Sequence, residues 1–247
     1  MADMDPILEA HLRDLADRCE QQCVVTCSQF LTPLEQRELQ GLHLPGLHLW
    51  GGGEVAERKL AFFLPFYVEA DSLDYSEYIT AFRVRTPFQS LSHRDYLGAI
   101  LNLGIERKCL GDLYVEGDSG WFYAVPSVSR HLLLSLDRIG RGGAKVEQVP
   151  LEQVPAPKVE MKEKEFTVKS MRLDAVAANI FGLSRTHMQE AIAAGLVTLN
   201  YAVTERTDAP VNEGDLISVR GKGKAQVLEI GGKSKKDRLF LRCGLFK

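Results

Sequence analysis

The sequence predicts an α+β protein in three parts: an N-terminal α/β segment (residues 1–75), a middle domain (76–150) and a C-terminal domain (166–247), with a linker at 151–165. Three observations carry this reading. Helical and strand periodicities alternate along the chain, with no repeat at solenoid spacing. The stretch VPLEQVPAPKVEMKEKE, Val149 to Glu165, is rich in Pro, Glu and Lys and lacks an apolar period, as a partly extended linker would. Charge divides nearby: Ser170 to Lys247 carries 12 Lys+Arg against 8 Asp+Glu, and the rest of the chain 18 against 25.

The N-terminal segment opens with an amphipathic helix whose Leu8, Leu12, Leu15, Cys19 and Cys23 share a face at three- and four-residue steps. A second helix begins at Thr32-Pro33-Leu34-Glu35: Thr32 caps the free amides, Pro33 suits the first position, and Glu35 closes a capping box. Gly41 ends it. Leu47 to Trp50 and Ala61 to Tyr67 read as strands around the turn Gly51-Gly52-Gly53.

In the middle domain Tyr78 to Val84 alternates as a strand, and Arg94 to Leu103 is helical, capped by Ser92 and stopped by Gly104. Asp112 to Glu116 and Trp121 to Val125 are strands joined by Gly117-Asp118-Ser119-Gly120. Ser129 to Arg138 is a helix stopped near Gly140, and Ala144 to Gln148 a last strand. This β-α-β-β-α-β order is that of the ferredoxin-like fold, which RNA-recognition modules share. Trp121 and Tyr123 lie on one face of their strand and Phe122 on the other. The stretch fits the usual base-stacking pattern poorly, so core packing is the better expectation.

In the C-terminal domain Leu173, Val176, Ala177 and Ile180 form the apolar face of one helix, ended near Gly182. Ser184 caps a second, with Met188, Ala191 and Ile192 inward and Gly195 as its stop. A helix N-terminus favours phosphate, and Ser184, Arg185, Thr186 and His187 add hydroxyl and cationic donors there. In isolation such a Ser is only a cap and such an Arg only a solvated side chain. Asn200-Tyr201 turns between two short strands, and Gly214-Asp215 precedes the strand Leu216 to Val219. Arg220 to Lys247 reads as a basic β-hairpin, where Lys222, Lys224, Lys233, Lys235, Lys236 and Arg238 can add phosphate contacts that carry no sequence information.

Composition bounds the function. With 45% hydrophobic and 26% charged residues the chain is an ordinary globular protein, and no apolar run approaches bilayer length. The acidic start MADMDPILEAHLRDL does not resemble a secretory leader, and five cysteines, an odd number, fit a reducing cytoplasm. Cys19, Cys23 and Cys27 lack a convincing fourth metal ligand and are expected as small core residues. Gly51 to Gly53 lack the Gly-Lys-Ser/Thr of a nucleotide loop, and Asp112 and Asp118 lack an acid/base partner. Neither cofactor, metal, membrane nor small-molecule substrate is expected. The acidic body with a basic end points to a polyanion.

The pieces Arg172-Leu173-Asp174, Leu183-Ser184-Arg185, Ile192 with Gly195, Val197-Thr198-Leu199-Asn200 and Gly214-Asp215 resemble the S4 domain, an αL-type RNA-binding module. The resemblance implies that Arg172, Ser184, Arg185, Thr186, His187, Gln189 and Asn200 contact folded RNA. Tyr201 stands where that family usually has Gly, and Gln189 where a basic residue is frequent. Further stretches, Gly51 to Lys59, His93 to Ile105 and Leu110-Gly111-Asp112, resemble the YlmH family of bacteria. Departures there are Leu60, in place of a common basic residue, and Cys109.

The YlmH resemblance implies a non-enzymatic factor that binds ribosomal RNA on the large ribosomal subunit, with peptidyl-tRNA as a further partner, in ribosome-associated quality control. The family's genes lie beside cell-division genes in Gram-positive bacteria. One alternative is an RNA-modifying enzyme of the pseudouridine synthase type, which often carries an S4 module. Such enzymes need an Arg-Leu-Asp motif in a separate catalytic domain, whereas Arg172-Leu173-Asp174 lies on the first S4 helix and has no second copy. The other alternative is a cell-division adaptor acting through the acidic body.

Overall fold

The computed structural model describes residues 4–87, 91–157, 160–233 and 237–246. The chain is α+β and separates into two compact units, Met1–Pro157 and Lys158–Lys247.

The first unit begins with α1 (Pro6–Gln22), β1 (Thr26–Cys27), α2 (Pro33–Gly41), β2 (Leu47–Trp50) and β3 (Leu60–Phe63). Helix α1 starts where Asp5 accepts the Ile7 amide, and α2 carries the expected capping box, with the Thr32 amide donating to Glu35 Oε2 at 2.6 Å. The strands form an antiparallel sheet in the order β1-β3-β2. Leu12, Leu15, Cys19, Leu39, Ala61 and Phe63 make its core with the helices.

Two expectations need correction here. The helical face stops at Cys19, because α1 ends at Gln22 and Cys23 takes a left-handed, exposed capping position while Cys27 lies in β1. Spacing by fours signifies a shared face only while the helix lasts. The strand expected to reach Tyr67 ends at Phe63, ahead of Pro65, which has no amide to continue a ladder.

The unit continues with β4 (Thr80–Arg85), α3 (His93–Leu101), β5 (Leu110–Glu116), β6 (Ser119–Ala124), α4 (Ser129–Ser135), the short pair β7 (Arg138–Ile139) and β8 (Gly142–Gly143), and β9 (Lys145–Val149). Four strands form an antiparallel sheet in the order β5-β6-β4-β9. Helix α4 is shorter than expected because Leu136 leaves helical geometry and is buried.

Phe82 stacks on Phe122 at 5.1 Å on the sheet face that also buries Tyr96, Ile100 and Leu132 of the two helices. On the opposite face Tyr123 is buried as well. It lies against Gly52 and Gly53 of the N-terminal segment, and Gly111 sits beneath both its side chain and the Phe30 ring. Gly52 is required twice over: its φ is +96°, and a Cβ there would lie 2.6 Å from the Tyr123 ring. The expectation of core packing therefore holds for Tyr123. Tyr123→Ala should cost about 3 kcal/mol in urea unfolding, as large aromatic deletions from cores do. RNA affinity of the still-folded variant should be unchanged; a loss with intact stability would restore base stacking.

The second unit contains β10 (Met161–Val168), α5 (Leu173–Phe181), α6 (Arg185–Ala193), β11 (Val197–Leu199), β12 (Ala202–Val203), β13 (Leu216–Val219), β14 (Gly223–Lys233) and β15 (Leu239–Phe246). All six strands form one antiparallel sheet, ordered β10-β15-β14-β13-β11-β12. Val176, Ala177, Ile180, Met188 and Ile192 of the helices share a core with Ile217, Val227, Leu241 and Cys243 of the sheet.

One sequence expectation changes. The stretch 151–165, expected as a partly extended linker, ends in a strand, since β10 begins at Met161 and pairs residue for residue with β15. Its Lys and Glu residues hid the strand because they decorate a sheet edge, where charge discourages pairing with other chains. The strands of the expected basic hairpin are β14 and β15, which pair antiparallel. Strands β14 and β15 lie inside the sheet, with Ala225, Val227, Leu241 and Cys243 fully buried.

Candidate nucleic-acid interface

The entry to α6 is built around one buried carboxylate. Asp174, in the first turn of α5, has a fully buried side chain. It accepts Arg172 Nε and Nη2, both at 3.2 Å, Arg185 Nε at 3.0 Å and Nη2 at 3.2 Å, and Gln189 Nε2 at 2.7 Å. Two guanidinium forks and an amide thus saturate both oxygens, the geometry in which charge-assisted bonds are strongest. Burial alone would push this carboxyl up. The bonds from Arg172, Arg185 and Gln189, with the Arg185 charge, overcome that and hold it at about 2.

This anchoring fixes the arginines without burying them: the Arg172 and Arg185 side chains remain 41% and 54% exposed. Ser184 Oγ accepts the His187 amide at 3.1 Å, so the expected cap is in place and α6 starts at Arg185. Thr186 and His187 stand exposed on the first turn, where unpaired amides and the helix dipole attract anions. Arg185 also lines a groove of about 270 Å³ with Lys169 and Arg238. The first turn of α6 thus carries a hydroxyl, an imidazole and a fixed guanidinium, and Arg185 shares the groove with two further cations, an arrangement suited to phosphate.

The other predicted residues are placed differently. Gln189 is spent on Asp174, where a neutral donor adds a bond without a third positive charge. Asn200 is also committed inward: its Nδ2 donates to Asp215 Oδ1 at 2.7 Å and its Oδ1 accepts the Leu216 amide at 2.9 Å. Asn200 and Tyr201 both have positive φ, 51° and 69°, as a two-residue hairpin turn demands. That explains why Gly suits the position Tyr201 fills. Lys222 is exposed, whereas Lys224 lies over the Phe246 ring at 4.8 Å and near that of Tyr201 at 5.9 Å. Lys235 and Lys236 fall outside the described residues.

Sequence reasoning missed Lys169 and the anchoring role of Asp174. The signal for Asp174 was an acid in the first turn of an otherwise apolar helix, with arginines before and after it. Lys169 had no local signal, since only folding brings it to the groove. Among the described residues no group of three or more His, Cys, Asp and Glu side chains is placed to hold a metal ion, and no helix is long and apolar enough to cross a membrane.

Comparison with known proteins places these features in a class. Residues 71–153, which include the whole four-stranded sheet, match a family model described as "Putative RNA-binding domain in YlmH". The class is therefore that of α+β proteins carrying this RNA-binding domain. The "Ribosome-associated protein quality control protein P2" of Bacillus subtilis (strain 168) is 33% identical over 224 residues, covering 89% of this chain and 86% of that protein. The chain belongs to the YlmH family. A solved structure, "Cell division protein ylmH from Streptococcus pneumoniae", is similar with a TM-score of 0.47 at 22% identity, over 62% of this chain and 98% of that one.

Proposed function

We propose that the chain is a cytoplasmic, non-enzymatic factor that binds ribosomal RNA on the large ribosomal subunit and acts in quality control of stalled subunits carrying peptidyl-tRNA. The observation that carries this reading is the α6 entry, where two part-exposed arginines are fixed on Asp174 and one of them shares a groove with Lys169 and Arg238. The name of the Bacillus relative supports the ribosomal setting. In this reading the two-helix unit with its strands is an S4 domain, and residues 76–150 are a ferredoxin-like, RRM-like domain. The sheet order β5-β6-β4-β9, with a helix after the first and third strands in sequence, supports the latter.

The assignment as a pseudouridine synthase is disfavoured by Asp174 itself. A catalytic aspartate must reach its substrate, and this one is fully buried with both oxygens taken. Co-sedimentation of the full chain with purified large and small subunits tests the proposal. Retention by the large subunit, weakening steeply as salt rises, is the expected result; equal retention by both subunits or by neither would contradict it.

Arg185→Glu is unsuitable as a binding test, although its position invites it. It would set a second carboxylate against buried Asp174 and confound binding with folding.

A further inference from the structure

A second cationic cluster lies in the first unit. Arg58 precedes β3, and Arg107 lies in the turn before β5. Both guanidiniums donate to one acceptor, the Leu110 carbonyl, from Arg58 Nε at 3.0 Å and Arg107 Nη1 at 2.7 Å. Arg58 Nη2 also donates to the Phe30 carbonyl, and Arg107 Nη1 to that of Gly111. Two positive groups are thus held side by side, half-buried, against like-charge repulsion.

Glu35 and Asp112 are the carboxylates whose charge reaches Arg58, and neither bonds to either guanidinium. Asp112 accepts the Glu57 and Arg58 backbone amides and the Tyr114 hydroxyl instead. Among the described residues neither guanidinium is in an ion pair. Burial and then the Arg107 charge push down His93, the first residue of α3, although Asp112 opposes this. Burial and then the Arg58 charge push Arg107 down to about 10, although Asp112 opposes this. An oxyanion between the two guanidiniums would relieve that repulsion and take up donors that the carbonyls leave unused. Phosphate suits such forks.

We infer that Arg58 and Arg107 form a second binding site, for a backbone phosphate of RNA, in the first unit. This rests on the proposed RNA-binding function and gives the middle domain a specific contact. It also places that contact beside the first residue of β5, an edge strand of the four-stranded sheet.

The test uses the full chain, with fluorescein-labelled oligouridylate of about 20 nucleotides, long enough to span a typical single-strand site, measured by anisotropy across a salt series. Arg107→Gln should weaken binding about fivefold and flatten the salt dependence by about one unit of slope, as loss of one phosphate contact does. A folded variant with unchanged affinity and slope would overturn the site. Should the variant unfold, the wild-type chain decides: the His93 ring proton resonance should shift on adding oligouridylate, and a stationary resonance at saturation would overturn it. A response to inorganic phosphate but not to oligouridylate would assign the site to a free anion, against the inference. If the wild-type chain binds neither oligouridylate nor large subunits, the proposed function itself falls; wild-type binding matched by Arg107→Gln removes this site alone.

Discussion

Replacing Thr186 and His187 together with glutamate should weaken binding to large ribosomal subunits by tenfold or more, about 1.4 kcal/mol, without lowering thermal stability. The two effects separate because of where these residues stand. Both are exposed on the first turn of α6. Acidic side chains there favour the helix dipole by roughly 0.3–1 kcal/mol, so the fold should hold or gain slightly. The same charges would repel a phosphate drawn to that helix end. Co-sedimentation and a thermal melt of one preparation check both halves. Full binding by a folded double variant would remove the α6 entry from the interface.

Asp174→Asn should destabilise the unit 158–247 by about 3 kcal/mol, in the range for breaking buried ion pairs. Asparagine has one acceptor oxygen for donors that now occupy two, and its amide would face guanidinium groups. RNA binding should fall with it, because Arg172 and Arg185 lose the group that aims them. A pH series provides a second reading. The Asp174 carboxyl sits below its ordinary value of 3.8, at about 2 in the folded chain. Its contribution is therefore complete above about pH 4 and is lost as the pH falls through about 2, roughly 2 kcal/mol in all. Chemical unfolding of wild type and Asp174→Asn from neutral pH to pH 2 should show the difference between them shrinking over that window. A difference constant with pH would mean that Asp174 does not hold the arginines as a carboxylate.

Local signals in the sequence reached far into this fold. The capping box at Thr32 and Glu35, the Ser184 cap and the turn at Asn200-Tyr201 are decided by neighbours a few residues apart, and each stands where its residue types demand. Strand β10 was hidden because its pairing partner is about 80 residues away and its own residues are those of a solvated edge. The site divides in the same way. Helical position picked out Ser184, Thr186 and His187, but it could not show that Gln189 and Asn200 turn inward or that Lys169 joins the groove. The Arg58 and Arg107 pair was invisible for the same reason: their convergence on the Leu110 carbonyl depends on segments about 50 residues apart.

The most direct measurement is photo-crosslinking from the α6 entry itself. A photoreactive residue at position 187 of the full chain, bound to ribosomes, should crosslink to large-subunit ribosomal RNA. The control is position 203, an exposed valine beside Gly195 at the far end of α6. Strong RNA crosslinks from position 187 and few from position 203 are the predicted result. Crosslinks from 187 to protein alone, or equal RNA yields from both positions, would contradict a phosphate-binding role for this helix end.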